Sequence, residues 1–362
     1  MKIVPGRERR RGIALIIVLV SIFVLASLAG IFAYSMKVET KLAMNSYDAN
    51  DLEWLGRSGV EYARFLLAEQ LKNSKQQYDS LDQIWAGGQG DTNDPLSEYS
   101  LTDVELGKGK FTVKITDLER KFNVNTALNP QNEQIMQKAL TSIGVDAADV
   151  PTIIASIQDW IDTDDDTHIN GAESEYYKGL DPPYLAKNGP IDDISELLFI
   201  KGITPEIYWG PHAAEHSTAG LPARAKDMTR SSLLPTAAPS NAGLMDLFTP
   251  FSNGRINILT ASREQLQVLP LVDERVADQI IQAREQGAGE GTGVLVYRAP
   301  QDLLFQTALG QAAQGVANLC TFRSSTFDVQ VTAQIGQSKR ICHAILIRNN
   351  PKDVQISTFY WE

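Results

Sequence analysis

The feature that most constrains this chain is an apolar run near its start. The run extends from Ile13 to Met36 without a charged residue. At about 1.5 Å of rise per residue, a helix of this length crosses the roughly 30 Å hydrocarbon core of a bilayer. Charge resumes at Lys37, and an amphipathic helical pattern continues to about Leu71. We therefore expect a single-pass anchor prolonged into one long helix, with the rest of the chain in one aqueous compartment.

A short basic segment precedes this run and ends at Gly12. A plain signal anchor or a cleaved secretory signal has a similar pattern, but a secretory signal has an apolar core of only about 7–15 residues followed by a small-residue cleavage site. The layout resembles the leader of type IV prepilins and pseudopilins, which a membrane peptidase cuts after glycine. The resemblance implies cleavage between Gly12 and Ile13 and methylation of the new N-terminus. Because basic residues stay on the cytoplasmic side, the body is expected outside.

One position departs from the pilin pattern. Most pilin-like proteins carry glutamate at the fifth mature residue, where this chain has Ile17. In that family the glutamate is thought to neutralise the terminal amine of a neighbouring subunit, which matters because an unpaired buried charge is costly. A subunit with isoleucine there cannot offer this partner to a neighbour above it. Ile17 therefore favours a place at the tip of a fibre.

Composition limits the possible partners. At 362 residues the chain is long enough for two or three domains, and its formal net charge is −11. The leader carries a net charge of +4, so its removal leaves −15. Such an acidic body argues against nucleic acid, whose backbone requires a basic surface. Cys320 and Cys342 are compatible with either a disulfide or two separate buried thiols.

Beyond the long helix, alternating residues predict strands at two separate places in the chain. Residues 99–106 and 110–117 flank a glycine turn and predict a β-hairpin, while residues 327–334, 340–348 and 354–361 repeat the pattern near the end. We expect one antiparallel sheet that is split by an insertion. A loop with a weak local element near Leu81 to Trp85 is expected before the hairpin, and a mobile loop or linker at about 215–253.

The middle of the chain, roughly Phe122 to Cys320, is predicted to be helical. Two similar segments, beginning at Phe122 and at Ile256, place Asn and Thr caps before apolar helices. Both resemble helix-hairpin-helix or SAM-like modules, whose common version binds the DNA backbone through a glycine-rich hairpin. Here the hairpin after Leu266 carries Asp273 and Glu274 in place of those glycines, which would repel phosphate. We interpret the modules as protein scaffolds.

A dense acidic loop lies within this helical region. Counting Asp162 as position 1, the spacing of an EF-hand calcium loop predicts its ligands at positions 1, 3, 5, 7 and 12: Asp162, Asp164, Asp166, the backbone carbonyl of His168, and Glu173. Asp159 and Glu175 are secondary candidates. Hard oxygen ligands at these intervals suit calcium better than zinc. Thr167 stands where an EF-hand has glycine, and the competing interpretation is a solvated acidic loop.

Several motifs around this loop give a specific family resemblance. They are Asp159-Trp-Ile-Asp-x-Asp, Gly171-Ala-Glu-x-x-Tyr-Tyr, Asp181-Pro-Pro-Tyr184, Lys187-Asn-x-Pro190 and Glu196-Leu-x-x-Ile-Lys-Gly-Ile-Thr-Pro205. Together with the leader and Ile17, they are similar to the K minor pseudopilin family of type II secretion. The resemblance implies an α+β fold, in which a long N-terminal helix packs on a small antiparallel sheet that contains a large helical insertion with bound calcium. It also implies a place at the pseudopilus tip with the I and J minor pseudopilins, and contact with the prepilin peptidase and the inner-membrane platform.

The expected organisation follows from these segments: leader 1–12, transmembrane part 13–36, first part of the body 37–121, inserted helical domain 122–321, and C-terminal strands 322–362. The resemblance places the anchor in the inner membrane and the body in the periplasm. An enzyme is not expected, because the four histidines lack catalytic spacing and no nucleophile or phosphate-loop motif occurs. The alternative function is a membrane-anchored helix-hairpin-helix protein that binds DNA during uptake.

Overall fold

The computed structural model describes residues 11–72, 78–90, 94–214, 242–287 and 297–362. The predicted leader lies almost wholly outside this part of the chain, so its cleavage stays a prediction. Most of the segment predicted to be a mobile loop also lies outside it.

The long helix predicted from the sequence is confirmed. Helix α1 runs from Arg11 to Lys72 over 62 residues, which corresponds to about 90 Å. Its first part, from Ala14, is long and apolar enough to cross a membrane, and none of this apolar stretch is buried against the rest of the protein. The second part, which begins near Leu52, packs on the body.

The predicted split sheet is also confirmed. Five antiparallel strands are ordered β1-β2-β7-β8-β9. Their bounds are Val104–Leu106 for β1, Gly109–Asp117 for β2, Thr326–Ile335 for β7, Ser338–Asn350 for β8 and Asp353–Trp361 for β9. Strand β2 pairs along β7 from Lys110 opposite Gln334 to Asp117 opposite Phe327. The insertion therefore leaves the sheet and returns to it at the ends of two adjacent strands.

Helix α1 and the sheet enclose the core of the body. One face of the helix contributes Leu52, Leu55, Val60, Ala63 and Leu67, and β7 contributes Phe327, Val329, Val331 and Ala333. A 3-10 turn at Ile84–Ala86, where a weak local element was expected, places Trp85 edge-on against Phe327 with ring centroids 5.2 Å apart. The alternating pattern of β7 follows from this packing, because every second side chain faces the helix.

The insertion has its own core, which contains buried residues from Phe122 to Phe322 and also Tyr78 from the segment after α1. Its helices are Glu133–Ser142 (α2), Val150–Ile161 (α3), Ser174–Lys178 (α4), Pro205–Trp209 (α5), Leu244–Leu247 (α6), Arg263–Leu266 (α7), Glu274–Gly287 (α8), Pro300–Leu304 (α9) and Ala313–Ala317 (α10). Two short parallel pairs complete it: Phe122–Asn123 (β3) with Phe248–Thr249 (β4), and Ile256–Asn257 (β5) with Cys320–Thr321 (β6).

A buried ion pair lies between the sheet and the chain that follows α1. Arg348 Nη2 lies 2.6 Å from both carboxylate oxygens of Asp79, and both side chains are almost completely buried. Arg348 also donates to the Ser324 carbonyl, and its guanidinium lies 4.6 Å from the centroid of the Phe327 ring. Removing one member of such a pair would leave the other as an unpaired buried charge.

Two buried carboxylates join the sheet to the insertion. Asp117 Oδ2, at the end of β2, accepts hydrogen bonds from three side chains, those of Asn257, Thr260 and Ser324. Glu119 accepts from Ser325 Oγ at 2.7 Å and from the Thr326 amide at 3.0 Å. Burial raises the pKa of Asp117, and burial together with the nearby charge of Asp117 raises the pKa of Glu119 to about 7.

Three local predictions need correction. Strand β1 begins at Val104 rather than near Tyr99, because Ser100 Oγ bonds to the backbone of Thr102 and Asp103 has a positive φ of 51°. Helix α7 is capped by Ser262, whose hydroxyl accepts from the Gln265 amide, and Thr260 instead bonds to Asp117. In the first opening Asn123 caps only the 3-10 turn Val124–Thr126, and the apolar helix that follows, α2, has no side-chain cap at Asn132.

The end of the predicted 215–253 loop is structured. Residues 242–253 contain α6 and β4, and Leu244, Leu247 and Phe248 are buried. Phe248 packs edge-on against Phe122 with ring centroids 6.3 Å apart. This short apolar segment was included in the predicted loop because polar residues surround it in the sequence. Cys320 and Cys342 are both free and buried, in the insertion core and the body core respectively.

Candidate metal centre in the helical insertion

The acidic loop connects two helices of the insertion. Helix α3 ends at Ile161, and Asp162 follows it directly. Helix α4 begins at Ser174, with Glu173 as the residue before its first turn. The predicted first and last ligand positions therefore lie at the two ends of a loop between helices, as in an EF-hand, although α4 has only five residues.

Asp159, predicted as a secondary candidate, lies at the centre of the site. Its side chain is completely buried in the last turn of α3. Oδ1 accepts from the His168 amide at 3.0 Å and lies 2.5 Å from His168 Nδ1. Oδ2 has no hydrogen-bond partner among the described residues and points at Gly171. A Cβ atom at Gly171 would lie 2.0 Å from that oxygen, so the loop requires glycine here.

Asp162 and Glu173 supply further buried oxygens. Within the part of the chain that the structure describes, Asp162 Oδ1 and both carboxylate oxygens of Glu173 have no hydrogen-bond partner. Asp159, Asp162 and the His168 ring each place one ligand atom within 4.8 Å of the others. Asp162 Oδ2 lies 3.6 Å from His168 Nδ1. The fold thus concentrates buried anionic oxygens, which is costly unless a cation or a proton compensates them.

The pKa values of these groups reflect that cost. Burial, followed by the charges of Asp164 and Asp159, raises the pKa of Asp162 above its ordinary range. Burial raises the pKa of Glu173 to about 7, and the charges of Asp159, Asp162 and Asp165 add to the shift. A divalent cation between the carboxylates would reverse both effects, because it stabilises the charged forms.

The other predicted ligands lie differently. Asp164, Asp166 and Glu175 are exposed. Asp164 Oδ1 accepts from the Asp166 amide at 2.9 Å, and the His168 carbonyl accepts from the Gly171 amide at 2.9 Å. The carbonyl of His168, which an EF-hand would offer to the ion, is therefore already used in a local turn. This difference from an EF-hand agrees with Thr167 in place of glycine at position 6.

Two neighbouring side chains hold the loop and were not predicted as part of the site. Asn188 Nδ2 donates to the Asp164 carbonyl at 2.8 Å and to Asp165 Oδ1 at 3.1 Å, and its Oδ1 is buried without a partner in the described residues. Lys201 Nζ donates to the carbonyls of Asn170 and Gly171. Both residues lie within the motifs that carry the family resemblance, but nothing in their spacing predicts these contacts.

The donor set fits calcium. Its unpartnered atoms are carboxylate oxygens and one amide oxygen, and calcium takes six to eight such ligands with flexible geometry. A His ring nitrogen beside two carboxylates would also suit a transition metal, but His168 is exposed and already lies against Asp159. The residues that would hold the ion are Asp159, Asp162 and Glu173.

Sequence comparisons agree with the family resemblance. Residues 120–209, which contain the whole acidic loop, match the model of the family "Type II secretion system (T2SS), protein K". The chain is 28% identical over 210 residues to the type II secretion system protein K of Klebsiella pneumoniae, an alignment that spans 56% of this chain and 60% of the relative. It is 22% identical over 366 aligned positions to that of Aeromonas hydrophila, with 95% of both chains covered.

The fold has a counterpart of known structure. The crystal structure of the GspK-GspI-GspJ complex from the enterotoxigenic Escherichia coli type 2 secretion system contains a chain similar to this one, with a TM-score of 0.63. The superposition covers 88% of this chain and 99% of that chain, at 17% sequence identity. The mixed α+β architecture described above is therefore an established fold. The family model over residues 120–209, the relatives and the fold thus agree that this chain is similar to type II secretion system protein K.

Proposed function

We propose that the chain is a minor pseudopilin at the tip of a type II secretion pseudopilus, where it helps to initiate assembly and the export of folded periplasmic proteins. The observation that carries this proposal is the protein K fold together with a membrane helix that ends in a packed body. In this proposal the anchor crosses the inner membrane and the body lies in the periplasm. The chain acts as a structural component and not as an enzyme.

The tip position is supported by two features. Ile17 leaves the membrane helix without the glutamate that would receive the amine of a neighbour above. The insertion, which separates β2 from β7, adds bulk to the body that a repeating stack of subunits would have to accommodate. Both features favour one terminal copy over a repeating subunit. The structural neighbour was crystallised with GspI and GspJ, and we propose smaller subunits of the same kind as partners here.

The partner surface that we propose follows α1. Trp54 is 69% exposed, and Tyr47 lies two helical turns before it on the same face and is exposed as well. Large exposed aromatic residues are typical of interfaces. The same helix also forms the membrane segment, so a neighbour anchored in the same membrane is positioned to lie along this face. Other pseudopilins, the prepilin peptidase and the inner-membrane platform meet this condition.

The test is copurification of the full-length chain with tagged I- and J-type subunits from membranes. We expect a complex that contains one copy of this chain, and a Trp54→Ala variant should lose most of the partner. Phe305→Ala is the matched control, because Phe305 is an exposed aromatic on the insertion, away from α1. Long homopolymers of the chain alone would overturn the tip assignment.

We also propose that calcium binds in the insertion through Asp159, Asp162 and Glu173. The support is the set of buried carboxylate oxygens without partners among the described residues. The ion would hold the end of α3 to the start of α4 and so order the face of the insertion that contains this loop.

The alternative, DNA binding through a helix-hairpin-helix module, has no support in these relatives, which are all secretion proteins. The second hairpin is also unsuited to phosphate. Asp273 Oδ1 accepts from the Val276 amide at 2.8 Å, so the side chain already caps α8 and adds a negative charge where phosphate would approach. A mobility-shift assay with double-stranded DNA should show no binding.

A further inference from the structure

A cavity lies where the sheet meets the insertion. Its volume is about 340 Å³, which is within the range of sites that bind small molecules. The end of β2 and the residues after it form one wall, and α6 and α7 of the insertion form the other. The lining includes Thr116, Arg120, Lys121, Asp246, Glu264 and Gln265. None of these residues belongs to the proposed partner surface on α1 or to the proposed calcium site.

Arg120 lines this cavity with a guanidinium group that is only partly used. Its Nε donates to Gln265 Oε1 at 3.0 Å. Among the described residues, neither of its Nη nitrogens has a hydrogen-bond partner, and no carboxylate forms an ion pair with it. Gln265 is itself held in place, because its Nε2 donates to the Asp246 carbonyl at 2.8 Å. A fixed guanidinium with two free terminal nitrogens can donate two parallel hydrogen bonds to one carboxylate.

Two further cations near Arg120 also have no ion-pair partner in the part of the chain that the structure describes. Lys121 Nζ donates to the Met245 carbonyl at 2.8 Å. Arg284 Nη1 donates to two backbone carbonyls of the insertion, at 2.7 and 3.2 Å. All three cations are half-buried. Backbone carbonyls satisfy hydrogen-bond donors but do not neutralise their charge, so this region holds positive charge that is only partly compensated.

The pKa values of these groups reflect the same imbalance. Burial lowers the pKa of Arg120, and the charge of Asp117 opposes this only in part. Burial also lowers the pKa of Arg284; the charge of Glu285 opposes this shift, and the charge of Arg120 adds to it. The pKa of Lys121 is lowered by burial as well. An anion bound between these groups would reverse the shifts, because it stabilises the charged forms.

Two carboxylates that line the cavity limit the charge of a ligand. Asp246 Oδ2 accepts from the Gly243 amide at 2.9 Å, so this side chain caps α6. Among the described residues, neither Asp246 nor Glu264 forms an ion pair with Arg120 or Lys121. The guanidinium without a partner therefore matches one negative charge. A dianion such as phosphate would in addition be repelled by the two carboxylates.

We propose that this cavity binds a small organic molecule with a single carboxylate, whose oxygens accept hydrogen bonds from the two Nη nitrogens of Arg120. The rest of the molecule would lie between Thr116 and Gln265. Because Thr116 belongs to β2 and Gln265 to α7, the ligand would contact both the sheet and the insertion and would stabilise their junction. The inference goes beyond the proposed function, which assigns no ligand other than calcium.

The test uses the full-length chain in detergent at neutral pH, with calcium and ionic strength held constant. The probes are the sodium salts of acetate, propionate and benzoate, and benzamide is the neutral analogue of benzoate. We expect at least one carboxylate to raise the melting temperature relative to sodium chloride, since a ligand of the folded state stabilises it. Benzamide and phosphate should not raise it. No rise with any of the three carboxylates would overturn the inference, as would an equal rise with benzamide or phosphate.

Variants test the residues of the cavity. Arg120→Lys keeps the positive charge but removes the pair of terminal nitrogens, so it should weaken binding of the active carboxylate about tenfold. Arg275→Gln is the matched control, because Arg275 is an exposed arginine on α8 that does not line this cavity, and it should bind like the wild type. Wild-type affinity in a folded Arg120→Lys variant would overturn the inference.

A variant with the opposite effect separates binding from damage to the fold. Glu264→Gln removes a negative charge from the lining, so it should strengthen carboxylate binding and reduce the discrimination against phosphate. A misfolded variant could not show such a gain. Weaker carboxylate binding by folded Glu264→Gln would contradict the inference. Copurification with the I- and J-type subunits tests the proposed function separately, so the two failures are distinguishable.

Discussion

At the scale of single residues, Asp159 lies so near Gly171 that the candidate site leaves no room for a side chain at that position. We expect Gly171→Ala to destabilise the protein by about 1–3 kcal/mol, because the added methyl group would displace a buried carboxylate in a region held from several sides. Gly315→Ala is the control: its Cβ meets nothing within 4 Å, and α10 should gain slightly in stability. Thermal unfolding of both variants checks this, and an unchanged melting temperature for Gly171→Ala would contradict it.

A second residue-scale prediction concerns the proposed calcium ion. Binding to the folded state alone adds about 2.7 kcal/mol at a hundredfold excess over Kd. The melting temperature should therefore rise with calcium and fall with a chelator. Glu173→Gln should abolish this response, because it removes a buried carboxylate that has no other partner among the described residues. Glu175→Gln should keep it, since Glu175 is exposed. Loss of the response in the Glu175 variant, with the response kept in the Glu173 variant, would contradict the assignment of Glu173 as a ligand.

At the scale of elements, helix and strand patterns were the most predictable part of the chain. The long apolar run dictated α1, and alternation dictated β7, β8 and β9, because each has one face on a core. Other features depend on distant residues. Asp159 was ranked below Asp164 because EF-hand spacing counts from Asp162, whereas its position in the site comes from the last turn of α3 meeting Gly171. Asn188 reaches the loop from 24 residues away from Asp164.

The packing of α1 on the sheet gives a prediction at the same scale. A Cβ atom at Gly59 would lie 2.4 Å from Val331 Cγ1, so the helix approaches β7 too closely for a side chain. Gly59→Ala should lower the stability of the body by about 1–3 kcal/mol. Val331→Ala should lower it separately by leaving a cavity. The loss of stability in the double variant should be smaller than the sum of the two single losses. The smaller side chain at position 331 makes room for the methyl group at position 59, and that methyl group partly fills the cavity. Simple additivity in denaturant unfolding would contradict this contact.

At the scale of the whole molecule, the buried carboxylates that join the sheet to the insertion predict that the stability of the protein depends on pH. Glu119 is buried, and its pKa is raised to about 7 from an ordinary value of 4.5. A raised pKa of an acid means that the folded state binds the proton more tightly. The contribution of Glu119 to the free energy of unfolding is therefore fully present below about pH 4.5, and it is lost as pH rises through 7. The melting temperature measured in saturating calcium should fall between pH 5 and pH 8.

Glu119→Gln should flatten this fall, because the amide does not titrate. The Glu105→Gln variant is the control, since Glu105 is exposed on the edge strand β1 and should keep the wild-type profile. Saturating calcium is needed because the pKa of Glu173 is also raised to about 7 when no ion is bound, so Glu173 would titrate in the same pH range as Glu119. A Glu119→Gln profile identical to that of the wild type would show that another group at the joint titrates.

The attachment of the insertion between β2 and β7 has a mechanical consequence. The two strands are paired up to Asp117 opposite Phe327, one residue from the start of β7, and the chain leaves and returns at that end of the pair. A push along α1 is transmitted by shear to β2, β7, β8 and β9, on which the helix packs. The force is therefore borne by α1 and the sheet and not by the insertion. The insertion moves with the body as one attached domain, and its surface keeps its shape while α1 and the sheet carry the force.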